Sequence, residues 1–377
     1  MNYREAMDYR EKVAAYDRNT DSDITKELLK RLGNPHKGLK LIRIAGINGK
    51  SSVLTLLSTV LKNAGYGVGG YLSSHLFEYR ERFQIQGKPI AKAHVARLME
   101  QAAIQADAME REGLPHPTVS EMEMAMSLLL FREKHCELVI WEADREGERD
   151  VAAIIKNPLL CIVPPIDVDE AEIRGKANKK LKEQQLSYKE NKNITLSLCG
   201  QYQLVNGAVV LKALKALEQS GYPVKERAIR KGMAEAFLPG RFQVFPGKPI
   251  FIADGAHNEA GALALRKSLE YYFPNKRILY IMGMLRDEEC EGVIVHTHSL
   301  AEYIITVSAG RNCESLSALE LAQMVSARHL RVTVADSVEE AVELAFLLAD
   351  KDTVIVAFGS LTYLGDCIRA ANRRKEK

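Results

Sequence analysis

The residues with the clearest chemical potential lie in one short segment, Ala45–Ser52, with the sequence AGINGKSS. Its Gly49-Lys50-Ser51 matches the end of the general phosphate-loop pattern, GxxxxGK followed by Ser or Thr, although the first glycine, Gly46, stands closer than that pattern requires. Small residues let backbone N–H groups approach phosphate oxygens, a helix N-terminus favours negative charge, and a lysine ammonium adds a positive charge. The segment therefore predicts a phosphate-binding loop in which Ser51 or Ser52 can reach a metal ion. A tight turn with an exposed lysine is the alternative.

The residues on either side predict the elements that such a loop needs. Residues 41–45 (LIRIA) predict a strand, and residues 52–64 predict a helix that ends at Gly65. Apolar, β-branched runs then alternate with helical patterns along the chain, which is typical of βαβ units and a mainly parallel sheet. The predicted strands of this half are 66–72, 137–141 and 160–163, and the predicted helices are 92–112 and 121–134. Residues 176–192, rich in Lys, Gln and Asn, predict an exposed helix or loop.

The alternation of strands and helices resumes after a turn signal at Pro239-Gly240. The fold class is therefore α/β. We expect a parallel-sheet phosphate-loop ATPase domain over residues 1–238, followed by a smaller, Rossmann-like α/β domain over residues 239–377.

Composition excludes several classes of protein. The 377 residues are 46% hydrophobic and 27% charged, which excludes disordered and fibrous chains. Because 52 Lys and Arg nearly balance 49 Asp and Glu, nucleic acid is not an expected partner, and any anion must be captured locally. The sequence shows no membrane span and no signal peptide. Six scattered cysteines without a CxxC pair predict reduced thiols in a cytoplasmic protein, with no covalent nucleophile.

Together with eight further segments, the loop resembles the folylpolyglutamate and dihydrofolate synthases of the Mur ligase superfamily, whose loop reads GTNGKGS. The resemblance runs from about residue 40 to about residue 365 and is collinear. The matching segments, each with the family motif in parentheses, are YLSSHL at 71–76 (YTSPHL), ERFQIQG at 81–87 (ERIxING), 117–121 (PTxFE), GQYQLVNG at 200–207 (GxHQxxNA), PGRF at 239–242 (PGRxE), DGAHN at 254–258 (DGAHN), GMLRD at 283–287 (GMLKD) and GSL at 359–361 (GSL).

The resemblance implies an ATP-binding cleft and a ligase reaction. In the family, the γ-phosphate of ATP converts a folate carboxylate to an acyl phosphate, which the amine of glutamate attacks to form an amide. The implied cofactors are ATP and Mg²⁺, and the implied substrates are a folate-like acid and glutamate. We expect no membrane partner and a monomer. Such chemistry needs positioning, metal ions and cationic side chains more than a protein nucleophile.

The resemblance also implies roles for single residues. The catalytic set is Lys50, Glu121 and His257, and the metal set is Ser52, Ser73, Glu121 and Glu170. The ATP-binding set is Asn48, Gly49, Lys50, Ser51, Ser52, Asn206, Arg241 and Asp254.

Four of these residues also have a plain structural interpretation. Glu121 near a helix start is often only a partner of the helix dipole. Ser73 can be a turn hydroxyl, Arg241 can be a solvated surface residue, and Asp254-Gly255 alone is a common turn.

Three departures from the family concern the acceptor side. The family segment EVGLGGRLDATN reads EADREGERD at 142–150, and the metal-binding histidine of GLDH is replaced by Glu170. The lysine that the family carbamylates aligns with Gln185, which cannot carry that carboxylate. The chain also reaches Gly200 in fewer residues than the family uses, which indicates a shortened central domain.

Two hypotheses therefore stand. The first is an active ATP-dependent carboxylate–amine ligase. The second is a catalytically impaired, nucleotide-binding paralogue that acts as a regulatory or partner subunit. A phosphate-loop kinase is weaker, because it gives the second α/β half no role.

Overall fold

The computed structural model describes residues 1–15, 21–143, 154–164, 172–177, 181, 183–310 and 315–375. The chain forms two compact units. The first comprises Met1–Asp167 and Val209–Met233, and the second comprises Val168–Ala208 and Ala234–Lys377. In this division the segment 168–208 belongs with the C-terminal part of the chain. The domain boundary between residues 238 and 239 stays a prediction.

The described strands form three sheets. The first sheet has the order β4-β3-β2-β5-β1-β6, the second has the order β10-β11-β15-β12-β13-β14, and the third is β7-β8-β9. The strands are β1 Lys40–Ile44, β2 Val68–Tyr71, β3 Phe83–Ile85, β4 Lys88–Pro89, β5 Leu138–Glu142, β6 Leu160–Ile162, β7 Ile173–Ala177, β8 Gln184–Tyr188, β9 Asn191–Leu196, β10 Gln243–Phe245, β11 Ile250–Ala253, β12 Ile278–Met282, β13 Tyr303–Thr306, β14 Val332–Val334 and β15 Val354–Phe358.

Twelve α-helices lie in the described part of the chain. They are α1 Tyr3–Ala14, α2 Ser22–Arg31, α3 Lys50–Asn63, α4 Lys92–Arg111, α5 Val119–Glu133, α6 Tyr202–Gln219, α7 Glu226–Glu235, α8 Glu259–Tyr272, α9 Cys290–Thr297, α10 Ala318–Ser326, α11 Val338–Leu348 and α12 Leu361–Lys375. None of these helices combines the length and the apolar character that crossing a membrane would need.

The first sheet is parallel from β2 through β5 and β1 to β6, and helices cover both of its faces. Two consecutive glycines in β2 mark the two faces. A Cβ at Gly69 would lie 2.5 Å from the Phe131 ring on α5, and one at Gly70 would lie 3.5 Å from Leu54 on α3. Because successive strand residues point to opposite faces, α3 and α5 pack on opposite sides of the sheet. The near-continuous burial of β1 and β5 follows from this arrangement.

The second sheet has a similar plan. Strands β11, β15, β12, β13 and β14 are parallel, and β10 is an antiparallel edge strand. Its buried core joins Ile252 and Tyr280 of the sheet to Leu265 of α8, Val293 of α9 and Leu321 of α10. Helices α11 and α12 also contact this sheet. The predicted α/β class with mainly parallel sheets is confirmed.

One sequence prediction was wrong. Residues 176–192 contain the antiparallel pairing of β7 with β8 and the start of β9, not an exposed helix or loop. In β8 the buried residues alternate, with Gln184, Leu186 and Tyr188 facing inward. The amide of Gln184 donates to the carbonyls of Leu198 and Gly200 at 2.7 and 3.0 Å. A satisfied glutamine therefore behaves as a core residue, which polar composition alone does not indicate.

Helices α3 and α7 pack closely at a glycine, which generates a stability prediction. A Cβ at Gly232 would lie 2.5 Å from Cα of Val60 and 2.7 Å from its backbone N. We expect Gly232→Ala to lower the free energy of unfolding by about 1–3 kcal/mol, because backbone must shift to relieve the overlap and this outweighs the better helix propensity of alanine. Urea unfolding measures this. Arg227→Ala, at an exposed position of α7, is the control and should change stability by less than about 0.5 kcal/mol. Equal stabilities of the two variants would contradict the packing.

Candidate active site

The predicted phosphate loop lies between β1 and α3. Gly46 has a φ of 111° and Gly49, the N-cap of α3, has a φ of 87°, both in the region that favours glycine. A Cβ at Gly46 would also lie 3.1 Å from the carbonyl oxygen of Pro164. Lys50 is buried and its ammonium donates to the Gly46 carbonyl at 2.8 Å. The loop thus curls around the lysine at the start of a helix whose first turn carries no acidic residue, a setting suited to an anion.

Beside this loop, two serine hydroxyls converge on one carboxylate. The Oγ atoms of Ser51 and Ser73 both donate to Oε1 of Glu142, at 3.1 and 2.9 Å. Glu142 is buried, with 3% of its surface exposed. Three oxygen-bearing side chains are therefore held together within the first unit.

Sheet order explains why these residues meet. Glu142 is the last residue of β5, and β5 lies between β1 and β2. In register, Ile44 of β1 pairs with Glu142, and Tyr71 of β2 pairs with Trp141. Ser51 follows β1 and Ser73 follows β2, so all three residues stand at the carboxyl edge of neighbouring parallel strands. Ligand sites of open α/β sheets lie at this edge.

The donor set fits a hard divalent cation. Hydroxyl and carboxylate oxygens are the ligands that Mg²⁺ prefers, and Mg²⁺ usually keeps several waters and binds through one or two carboxylates plus substrate phosphates. Among the described residues, no group of three or more His, Cys, Asp and Glu side chains could hold a metal ion. A metal here would accordingly depend on Ser51, Ser73 and Glu142 rather than on a protein cage.

Glu121, predicted as a metal ligand and catalytic residue, has a different environment. It is fully buried at the start of α5, where its Oε1 accepts from the Asp21 backbone N–H at 2.8 Å and from Thr25 Oγ1 at 3.2 Å. Its Oε2 accepts from the Thr118 N–H at 2.6 Å in a capping box. These bonds join α5 to the start of α2, so the metal and catalytic roles of Glu121 stay predictions, whereas Glu142 is the carboxylate that lies beside the phosphate loop.

The other three residues of the predicted metal set differ in where they lie. Ser73 does lie at the carboxylate of Glu142. Ser52 is buried in the first turn of α3, but it is Ser51 that hydrogen-bonds to Glu142. Glu170 lies outside the described residues, as do most residues of the altered segment after Ala143.

In the second unit, two predicted residues, Asp254 and Arg241, lie at a buried turn. Asp254 is 3% exposed. Its Oδ2 accepts from Tyr202 Oη at 2.7 Å and from the Phe242 N–H at 2.8 Å, and its Oδ1 accepts from the Ala256 N–H at 2.9 Å. Burial raises the pKa of Asp254 despite these donors and the nearby Arg241. A Cβ at Gly255 would lie 1.9 Å from Nη1 of Arg241, so the guanidinium lies against this glycine.

The remaining predicted ATP-binding and catalytic residues lie at three places. Nδ1 of His257 lies 2.7 Å from the carbonyl oxygen of Gly255, and Asn258 caps α8 by accepting from the Gly261 N–H at 2.8 Å. Asn206 is buried in α6 and donates to Gln203 Oε1 at 2.9 Å. Asn48 lies in the phosphate loop of the first unit. Direct ATP contacts of Asn48, Asn206, Arg241, Asp254 and His257 stay predictions.

Comparison with known proteins shows what the chain is similar to. A family model described as Mur ligase, glutamate ligase domain, matches residues 240–361. The dihydrofolate synthase/folylpolyglutamate synthase of Escherichia coli is 27% identical over 399 residues, covering 92% of this chain and 90% of that protein. The enzyme of the same name from Bacillus subtilis is 26% identical over 339 residues, covering 74% and 79%. The chain is thus similar to the folylpolyglutamate synthase/dihydrofolate synthases over most of its length, and its C-terminal part matches the glutamate ligase domain of the Mur ligases.

Solved structures of the family share the fold. A Mycobacterium tuberculosis folylpolyglutamate synthase complexed with ADP and AMPPCP is 22% identical, with a TM-score of 0.84 and coverage of 100% of this chain and 99% of that chain. A bifunctional folylpolyglutamate synthase/dihydrofolate synthase from Yersinia pestis, complexed with AMPPNP and Mn ion, is 22% identical with a TM-score of 0.78, covering 99% and 98%.

Compared with the motif EVGLGGRLDATN of the synthases, the chain keeps the first residue as Glu142. The predicted catalytic, metal and ATP-binding sets do not include Glu142. The available signal was an acidic residue that ends a buried strand, ELVIWE, in a sheet that also carries a phosphate loop. Gln185, which aligns with the family's carbamylated lysine, lies in β8 and donates to Thr195 Oγ1 at 3.1 Å.

The hydrogen bonds of Glu121 lead to a prediction. In Glu121→Gln, an NH₂ group replaces one acceptor oxygen and faces a donor, so we expect a loss of about 1–3 kcal/mol in the free energy of unfolding. The gain in ATP affinity on adding Mg²⁺ should remain that of the wild type. Glu133→Gln, which removes a carboxylate paired with Arg97 at the surface of α5, is the control and should cost less than about 1 kcal/mol. A stable Glu121→Gln protein that has lost the Mg²⁺ effect would instead support the metal role of Glu121.

Proposed function

We propose that this protein is an ATP- and Mg²⁺-dependent carboxylate–amine ligase that adds glutamate to a folate-type acid. The observation that carries the proposal is the meeting of Glu142 with Ser51 and Ser73 directly beside the glycine-rich loop and its Lys50. A phosphate loop with hard oxygen ligands at its side is what phosphoryl transfer from ATP requires.

The described residues of the first unit would act on the triphosphate. The backbone N–H groups at the start of α3 and the ammonium of Lys50 would bind and orient the phosphate oxygens. Lys50 would exchange its bond to the Gly46 carbonyl for one to phosphate. Ser51, Ser73 and Glu142 would hold Mg²⁺, which supplies charge neutralisation for the transferring phosphoryl group. Arg241 of the second unit would add a planar cationic fork to the phosphates.

The names of the relatives indicate which substrates to expect. The proteins that match are named dihydrofolate synthase/folylpolyglutamate synthase, and one structure of E. coli FolC contains DHPP together with ADP. We infer that the acceptor carboxylate belongs to a folate or its pteroate precursor and that the amine is that of glutamate. The chain departs from the family motif after Ala143 and has Gln185 where the family has a lysine. We therefore expect it to differ from its relatives in how it binds the acceptor acid.

The impaired-paralogue hypothesis is not favoured. The relatives are synthases, and this chain keeps the lysine, the serines and the carboxylate that ATP chemistry needs. A monomeric state and a cytoplasmic location stay predictions from the sequence.

The function predicts a defined product. Purified protein with ATP, Mg²⁺, glutamate and a panel of pteroate and folate acids should form ADP, phosphate and the amide in equal amounts. Mass spectrometry should detect the acid plus one glutamate minus water. Lys50→Ala should lower the rate at least about 100-fold, because it removes a charge that stabilises the transition state. ATP binding that depends on Lys50, without product from any acid, would contradict the ligase and support the paralogue.

The metal assignment predicts a specific binding defect. In Glu142→Gln the shape is kept and the charge is lost, so the gain in ATP affinity on adding Mg²⁺ should fall at least about tenfold. Isothermal titration with and without Mg²⁺ measures this gain. Glu137→Gln, just before the same strand, removes a carboxylate that accepts from the Gly67 N–H, and it should keep the full Mg²⁺ effect. An unchanged Mg²⁺ effect in Glu142→Gln would overturn the assignment.

A further inference from the structure

The buried carboxylate of Asp254 is the centre of a network in the second unit. Three donors of the chain itself converge on it, from Tyr202, Phe242 and Ala256, at 2.7 to 2.9 Å. A carboxylate offers about four lone-pair positions, so this one is largely engaged by the protein. Its geometry is therefore fixed from within the unit.

One of these donors controls the segment that carries Arg241. Phe242 adopts a φ of 46°, which a residue with a large side chain rarely occupies, and its ring is buried. The Phe242 N–H donates a hydrogen bond to Asp254, and this bond offsets the strained backbone at Phe242. Because Gly240, on the other side of Arg241, also has a positive φ of 71°, the arginine lies in a chain reversal that depends on this anchor.

The same turn also makes room for the guanidinium. The missing Cβ of Gly255, directly after Asp254, leaves the space in which Nη1 of Arg241 lies. Asp254 thus fixes the backbone of the arginine segment, and the next residue accommodates its side chain.

Tyr202 completes the anchor, and it is a departure from the family. It stands where the motif GxHQxxNA has histidine, and its hydroxyl donates to Oδ2, the oxygen that also accepts from Phe242. The left-handed Gly200 permits this approach, since a Cβ there would lie 3.0 Å from the Tyr202 ring and 3.1 Å from Cβ of Phe242. Burial and the charge of Asp254 raise the pKa of Tyr202 well above its usual value, so the phenol keeps its proton.

We propose that Tyr202 is a positioning residue for Arg241, acting through Asp254 and the Phe242 N–H. The proposal rests on the proposed function, in which Arg241 binds the phosphates of ATP. Loss of the phenol hydroxyl leaves Asp254 with one fewer donor and frees it to rotate, so the arginine segment samples other conformations and the arginine binds phosphate less well.

The test is a double-mutant cycle on the affinity for ATP in the presence of Mg²⁺, with the full-length chain. Tyr202→Phe should weaken ATP binding roughly fivefold to tenfold in the wild-type background. In the Arg241→Ala background the same change should weaken it less than about twofold, because the residue through which Tyr202 acts is gone. Equal factors in the two backgrounds, or no effect in the first, would overturn the proposal.

Tyr272→Phe is the matched control. Its ring packs against Phe242, with centroids 5.4 Å apart, but its hydroxyl donates to Gln184 Oε1 at 2.9 Å rather than to Asp254. It removes the same kind of hydroxyl from the same unit, so its ATP affinity should stay within about twofold of the wild type. Equal weakening by Tyr272→Phe and Tyr202→Phe would indicate general loosening of the unit and would also overturn the proposal.

Two further measurements separate this proposal from the proposed function. Tyr202→His, which can still donate from its ring, should recover part of the lost affinity, and failure to recover it with a thermal unfolding midpoint equal to that of the wild type would count against the anchor. If Arg241→Ala alone leaves ATP affinity unchanged while the wild type ligates its substrates, the role of Arg241 fails and the ligase stands. If the wild type neither binds ATP nor ligates, the proposed function itself fails.

Discussion

The structure of the first unit depends on the insertion of β5 between β1 and β2. Because the three strands are parallel and in close register, their carboxyl ends meet at one edge, and each delivers one functional side chain there. Ser51 follows β1, Ser73 follows β2, and Glu142 ends β5. Burial of the sheet on both faces fixes the strand ends after which these residues stand, and the two hydroxyls lie 3.1 and 2.9 Å from the carboxylate. The glycines of the loop then bring the N-terminus of α3 and Lys50 to the same edge.

The second unit uses a buried carboxylate in another way. Most hydrogen-bond acceptor positions of Asp254 are filled by donors of the protein itself. Its bond to the Phe242 N–H stabilises a strained backbone conformation at Phe242. A residue of a family motif can thus act indirectly, by fixing the backbone of a neighbouring segment. The same distinction separates Glu121 from Glu142 in the first unit. Both are buried glutamates, but Glu121 caps a helix and Glu142 faces the phosphate loop.

How far the sequence could be interpreted depended on the kind of signal. Runs of apolar residues predicted α4, α5, β1 and β5 well, because burial of a whole face determines these elements. The hairpin of β8 and β9 was not predicted, because Gln184 is a polar residue at a core position. Its amide donates to the carbonyls of Leu198 and Gly200, and the sequence around Gln184 does not indicate these hydrogen bonds. Motif similarity led to the predictions of the phosphate loop and Ser73, but it gave no role to Glu142, the acidic residue beside the loop. Only strand order shows that the end of β5 lies beside the loop, whereas the start of α5 is occupied by its own cap.

The central claim is that the carboxyl edge of β1, β5 and β2 is where the divalent ion of an ATP-dependent ligase binds. The most direct measurement is a crystal of the wild-type protein grown with Mn²⁺ and a non-hydrolysable ATP analogue, with diffraction recorded at the manganese absorption edge. The account predicts an anomalous peak within about 2.5 Å of Glu142 or of the Ser51 and Ser73 hydroxyls, next to the analogue's phosphates. A peak at Glu121, or bound nucleotide with no manganese at this edge, would contradict it.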